Sequence, residues 1–280
     1  MRRKMNIKDL LNIGKEIEAL NAVAEDFSKV CTDFLIESKF DFELEELESF
    51  IAQWSLEQET LPEQVNVYNG FGQPPVTIFN NGHFVVDLYF WQTLDTSIHS
   101  HSFCGAFQVV AGESRHEVFK VHKKEEFFPD IYTSQIECIV DETLVKGDIR
   151  EIKRGLEFSH RVLHEQNPTV TLCIRTVNDK SPQWHHFDNG LSIQKRSPEA
   201  CDIKRLSIYD YLLTRNPQQG LAYLEKLMDF FSPSLIMNLY EQLSYDQMGL
   251  TEEGVEVFFD KVVERYGETP WFKVYMDFFN

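Results

Sequence analysis

The stretch His99-Ser-His101-Ser-Phe-Cys-Gly105-Ala-Phe-Gln-Val-Val-Ala-Gly112 sets two histidines one residue apart, ahead of an apolar run closed by glycine. Alternate residues of a β-strand share a face, so the two imidazoles can point together into a barrel. A third histidine lies downstream in Phe158-Ser-His160-Arg-Val-Leu-His164. Placed on an opposing strand, it would complete a three-nitrogen metal site with His99, His101 and His160 as ligands. His164 competes for the third position and is expected in the turn before Asn167-Pro168.

Working outward, Val76-Thr-Ile-Phe, Asn80-Asn-Gly82 and His83-Phe-Val-Val-Asp-Leu-Tyr-Phe-Trp91 read as strand, turn and strand, a hairpin signal. Further β-rich runs fall at 106–110, 117–121, 131–140, 145–152 and 169–177. Short strands with turn residues between them predict an antiparallel sandwich or barrel. The ends read differently. Ile7, Leu10, Leu11, Ile17 and Leu20 recur at helical spacing, and so do Leu221, Leu224, Leu227, Met228 and Phe231 near the other end. The expected organisation is a helical segment over 1–60, a β-barrel over 61–200 and a second helical segment over 201–280. The fold class is mainly β with helical flanks (α+β).

Composition narrows the function. Asp and Glu number 45 against 27 Lys and Arg, a net charge of −18, which opposes attraction to nucleic-acid phosphates or anionic membranes. No run reaches the roughly 18 apolar residues of a membrane helix. The basic start Met1-Arg-Arg-Lys-Met5 continues into Asn6-Ile-Lys-Asp9, where a secretory signal needs an apolar core. Five scattered cysteines without a CxxC pair suit a reducing compartment, so a cytoplasmic protein is expected. There is no phosphate-cradling glycine loop, no GxSxG and no HExxH, which leaves the histidine site or no catalysis at all.

Gly112 ends an apolar run eleven residues after His101, Lys146-Gly147-Asp148 precedes His160, and Pro168 introduces Thr169-Val-Thr-Leu-Cys-Ile-Arg175. This arrangement resembles the two signature motifs of the cupin superfamily, a double-stranded β-helix barrel. Within it the chain resembles most the three-histidine thiol dioxygenases, typified by cysteine dioxygenase. The matching segments are Gly82-His-Phe-Val-Val leading into Ser97-Ile-His99-Ser-His101, and Ser159-His160-Arg-Val followed by Asn167-Pro-Thr-Val-Thr-Leu. The similarity covers about residues 75–178. In most cupins a glutamate ligand stands where this chain has Gly105; three-histidine thiol dioxygenases lack that glutamate, and some bacterial members have glycine there.

The resemblance implies an iron(II) enzyme oxidising a small polar substrate, a thiol or a carboxylate, with O2; zinc, nickel and manganese are the alternative metals. Cysteine dioxygenases place a substrate-binding arginine near the position of Pro74, and a Ser-His-Tyr relay on the strand after the third ligand. Here the alternate positions of that strand are Thr171, Cys173 and Arg175, the candidate catalytic residues. An inward Arg175 could bind a carboxylate through a bidentate fork from a different wall. The competing reading is a non-catalytic metal- or ligand-binding cupin module whose helical ends mediate assembly. A redox-silent cupin metalloenzyme is a third.

The remaining candidates read more plainly. His116 and His122 are expected on an outer strand, in solvent. His185 and His186 are adjacent and face opposite ways on a strand, a poor ligand pair. Cys104 reads as a small buried thiol, and Glu43-Leu-Glu-Glu-Leu-Glu48 as a solvated helix face. Trp271, Phe272, Tyr275 and Phe278 read as helix-docking residues, with a homodimer contact as the alternative.

Overall fold

The protein is described by a computed structural model covering residues 7–20, 26–38, 40–65, 72–92, 95–177 and 181–279. Its contacts group the chain into two compact units, 1–120 with 137–182, and 121–136 with 183–280. Among the described residues no helix is long and apolar enough to cross a membrane.

The first unit opens with a 3-10 turn at Ile7–Asn12 and helices α1 (Ile13–Ala19), α2 (Phe27–Ser38) and α3 (Leu44–Glu57). The acidic run does cap and solvate α3: Glu43 and Glu46 form a reciprocal capping box, while Glu45 and Glu48 are exposed. The strands are β1 (Pro75–Asn80), β2 (Phe84–Trp91), β3 (Ile98–His101), β4 (Gly105–Ala111), β5 (Glu113–Phe128), β6 (Ile131–Val145), β7 (Ile149–Ile152), β8 (Gly155–His164) and β9 (Thr169–Thr176). The expected run over 145–152 is interrupted: β6 ends at Val145, and Gly147, with φ of +98°, turns the chain before β7.

One sheet has the order β1-β2-β9-β4-β7, and β3, β8, β5 and β6 are neighbours in the other. Apart from the β5–β6 hairpin, successive strands from β2 to β9 alternate between the two sheets. That is the strand order of a double-stranded β-helix, the jelly-roll architecture that cupins share. The pairings within each sheet are antiparallel.

Strands β2, β4 and β9 are buried along their whole length because both faces are covered. Val86, Leu88, Leu172 and Ile174 pack outward with Cys31 and Leu35 of α2, each fully buried and each leucine worth roughly 1.5–3 kcal/mol of transfer free energy. Tyr89, Trp91, Phe107, Val109 and Cys173 form a separate cluster on the opposite, inward face. Alternation along β2 therefore sends Asp87, Tyr89 and Trp91 inward, among apolar neighbours.

The second unit holds β10 (Gln183–His186), β11 (Leu191–Lys195), α4 (Ala200–Arg215), α5 (Pro217–Phe230), α6 (Pro233–Tyr245), α7 (Glu252–Tyr266) and α8 (Pro270–Phe279). Ser232 and Thr251 cap α6 and α7 by accepting from Leu235 N and Gly254 N, and Pro233 occupies the first turn of α6. Leu224, Leu227 and Met228 enter its core as the spacing predicts, whereas Leu221 stays exposed. Trp271, Phe272 and Tyr275 are buried in this core; the Phe278 side chain lies outside the described residues.

Candidate metal centre

Strands β3 and β8 pair with His99 directly opposite His160, and the two-residue period brings His101 to the same face. All three imidazoles are buried, and one nitrogen from each falls within 4.8 Å of the others. His101 Nε2 and His160 Nε2 stand 2.9 Å apart. His99 Nδ1 lies 2.7 Å from the Ser97 carbonyl, an acceptor only, so Nδ1 carries the proton and Nε2 keeps its lone pair. Burial holds all three well or moderately below the ordinary histidine range, so they are neutral at neutral pH. Three neutral sp2 nitrogens with no carboxylate among them are a donor set that fits a divalent metal ion.

His116 is the first correction. Expected in solvent, it is fully buried, because β5 runs beside β8 with Val118 opposite His160 and turns His116 inward. Its Nε2 lies 3.0 Å from His160 Nδ1, and its Nδ1 lies 3.0 Å from Glu142 Oε1. Hydrogen bonds from Arg150, Nε at 2.8 Å, hold the Glu142 carboxyl down to about 2, so it is ionised and can only accept. That fixes each proton in turn: His116 Nδ1–H donates to Glu142, and His160 Nδ1–H donates to His116 Nε2. The His160 Nε2 lone pair is thereby aimed at the cluster. Replacing His116 by Phe is expected to weaken divalent-metal binding roughly 10–100-fold, the usual loss for an outer-sphere partner. A chelator-competition titration with Co(II) checks it; unchanged affinity sinks the assignment.

The cluster opens onto a cavity of about 50 Å³ walled chiefly by Tyr89, Trp91, Phe103, Phe107, Ile152 and Val162. His164 is the second correction. It is the last residue of β8 rather than a turn residue, lines this cavity, and stacks on Trp91 at 4.5 Å. Burial pushes its imidazole down to about 4. Its Nδ1 meets Ser114 Oγ at 2.9 Å, and its buried Nε2 has no hydrogen-bond partner.

Thr171 and Cys173 line the cavity. Thr171 Oγ1 accepts from Trp91 Nε1 at 3.0 Å, and burial pushes the Cys173 thiol up to about 12, so it stays protonated. Arg175 shares their strand face but is not part of the cavity lining. Its Nε lies 3.2 Å from Asp87 Oδ2 and 3.1 Å from Tyr89 Oη, and its guanidinium carbon sits 4.9 Å from the Phe103 ring centroid. Thr77 and Tyr89 also donate to Asp87, at 2.8 and 2.7 Å. In the sequence Arg175 stands out without its carboxylate; Asp87, the lone acidic residue inside the apolar run of β2, is the available signal.

Gly105 has a steric reason. A Cβ there would collide with the Ile174 carbonyl oxygen and lie 2.8 Å from Arg175 Cα, because β4 and β9 pair at that point. No side chain, and so no glutamate ligand, fits. Gly105→Ala is expected to cost at least ~1–3 kcal/mol, read as a lower urea midpoint. Cys104 is buried. His185 and His186 lie on β10 in the second unit, where His186 Nδ1 meets Ser192 Oγ at 2.8 Å.

No protein-family model and no curated protein sequence matches the chain. Among solved structures it is similar to the DMSP lyase DddQ from Ruegeria pomeroyi DSS-3, at 14% identity and a TM-score of 0.34, covering 64% of this chain and 96% of that one. A protein with a double-stranded β-helix domain from Klebsiella pneumoniae aligns at 14% identity and a TM-score of 0.27, over 45% of this chain and 92% of that one. The hydroquinone 1,2-dioxygenase from Sphingomonas sp. TTNP3 aligns at 13% identity and a TM-score of 0.30, over 39% and 68%.

Proposed function

We propose that the protein is an iron(II)-dependent, dioxygenase-like enzyme that uses O2 to oxidise a small molecule docking through a thiol or a carboxylate. The observation that carries this reading is the convergence of His99, His101 and His160, buried and neutral, on the wall of an open cavity. His99, His101 and His160 would hold an Fe(II) ion, which would supply the redox chemistry. The thiol arm follows from the resemblance to three-histidine thiol dioxygenases.

The chain's own residues bind, orient and exclude water. The aromatic and aliphatic walls keep bulk water from the site. Thr171 holds the Trp91 indole in place, and Cys173 presents a neutral thiol, not a thiolate nucleophile. Arg175, committed to Asp87 and Tyr89, fixes the orientation of the Tyr89 ring against the cavity. Anaerobic loading with Fe(II), followed by oxygen uptake across a panel of thiols and carboxylates, tests the reading. Uptake with one class, abolished by His160→Ala, supports it; saturable ligand binding without uptake refutes it.

One observation favours the alternative, a metal- or ligand-binding module without turnover. The strand after the third histidine offers no free acid or base, since Arg175 is paired and Cys173 is held protonated. Zinc, nickel or manganese would serve that role equally well.

A further inference from the structure

We infer that the cavity selects a single-headed ligand, one metal-binding group on an uncharged apolar body, and discriminates against zwitterions such as α-amino acids. The inference rests on the metal reading above and adds the class of substrate.

The argument is an inventory of charge and of hydrogen-bonding capacity on the wall. Among the described residues no Asp, Glu, Lys or Arg lines the cavity. The polar tips of its aromatic residues are engaged elsewhere: Tyr89 Oη donates to Asp87 and Trp91 Nε1 donates to Thr171, which leaves their ring faces as wall. The Thr96 hydroxyl accepts from Val162 N at 2.8 Å. What remains is neutral: the Cys173 thiol, the Thr171 hydroxyl hydrogen, His101 Nδ1 and His164 Nε2. Arg175 stands outside the lining, where its guanidinium faces Asp87, Tyr89 and the Phe103 ring, so any pull it exerts on a ligand carboxylate is offset by the Asp87 charge beside it.

A zwitterion bound here would send one charge to the metal and strand at least one other among rings without a partner. A single anionic head loses nothing in this way, because the metal itself is its counter-charge. An apolar or aromatic body behind that head meets ring faces of Trp91, Phe103 and Phe107 in geometry suited to offset or edge packing.

The test uses the full chain loaded with Co(II) and two thiols with different bodies, phenylmethanethiol and L-cysteine. Binding is read from the thiolate-to-cobalt absorption band at one pH. Phenylmethanethiol has the less acidic thiol, so acidity works against the expected order. The expectation is half-saturation at a concentration at least ~10-fold lower than for L-cysteine, the factor that one unpaired buried charge costs. Trp91→Phe should keep the order, and Trp91→Ala should narrow it while Co(II) uptake is unchanged. L-cysteine binding as tightly as phenylmethanethiol, or more tightly, overturns the inference and leaves the metal reading intact. Wild-type protein that takes up no Co(II) overturns the metal reading, and the inference with it.

Discussion

Protein carrying His160→Ala is expected to emerge from purification with its divalent metal lost, while the wild type holds about one equivalent. The His160 tautomer is set from outside the cluster by a relay of side chains, His116 and Glu142. Removing it takes away a donor nitrogen and leaves His99 and His101, two residues apart on one short strand, as a bidentate remnant. The affinity loss should exceed the ~100-fold upper range for an outer-sphere partner, because a direct ligand is gone. The fold should survive: the imidazole faces the cavity, and its removal enlarges existing space. Elemental analysis of protein prepared without added metal, with circular dichroism as the fold control, reads both outcomes. A variant that keeps the wild-type metal content would show that the cluster is not the binding site.

Asp87→Ala is expected to be the most destabilising single substitution in the first unit. Asp87 and Arg175 are an ion pair with side-chain exposures of 1% and 8%, so neither charge has water to fall back on. Truncating Asp87 strands a guanidinium that cannot shed its proton, and also leaves the Thr77 and Tyr89 hydroxyls without their acceptor. Breaking a buried pair in this way costs about 3–5 kcal/mol, or a fall in Tm of roughly 6–20 °C for a unit of this size. Replacing both partners, Asp87→Leu with Arg175→Met, should recover most of the loss, because an apolar pair needs no counter-charge. Urea unfolding of the two variants decides the matter. A cost under ~1 kcal/mol for Asp87→Ala would mean that water reaches the pair.

These two residues also show where reading the chain as text stops. Arg175 was visible as a cavity-side candidate because β9 alternates, and Asp87 was visible as an anomaly in an apolar strand. Nothing in the text joins them across 88 positions; only the tertiary structure gives Arg175 its buried carboxylate neighbour. His116 is the mirror case. Its strand was anticipated, but alternation states which residues share a face and not which face looks inward. The register of β5 against β8 settles that, and brings a histidine expected in water to 3.0 Å from a buried one.

By itself the sequence determined the alternating strands, the helical ends, the Asn-Gly hairpin, the net charge of −18, and the spacing that puts two imidazoles on one side of a strand. Such features are local: period, propensity and composition act over a few residues and need no partner. Tertiary structure alone decided which charges neutralise each other, which histidine supports which, why no side chain fits at position 105, and what the cavity wall lacks. Those depend on the register between strands far apart in the chain, where a shift of one residue turns every side chain to the other face.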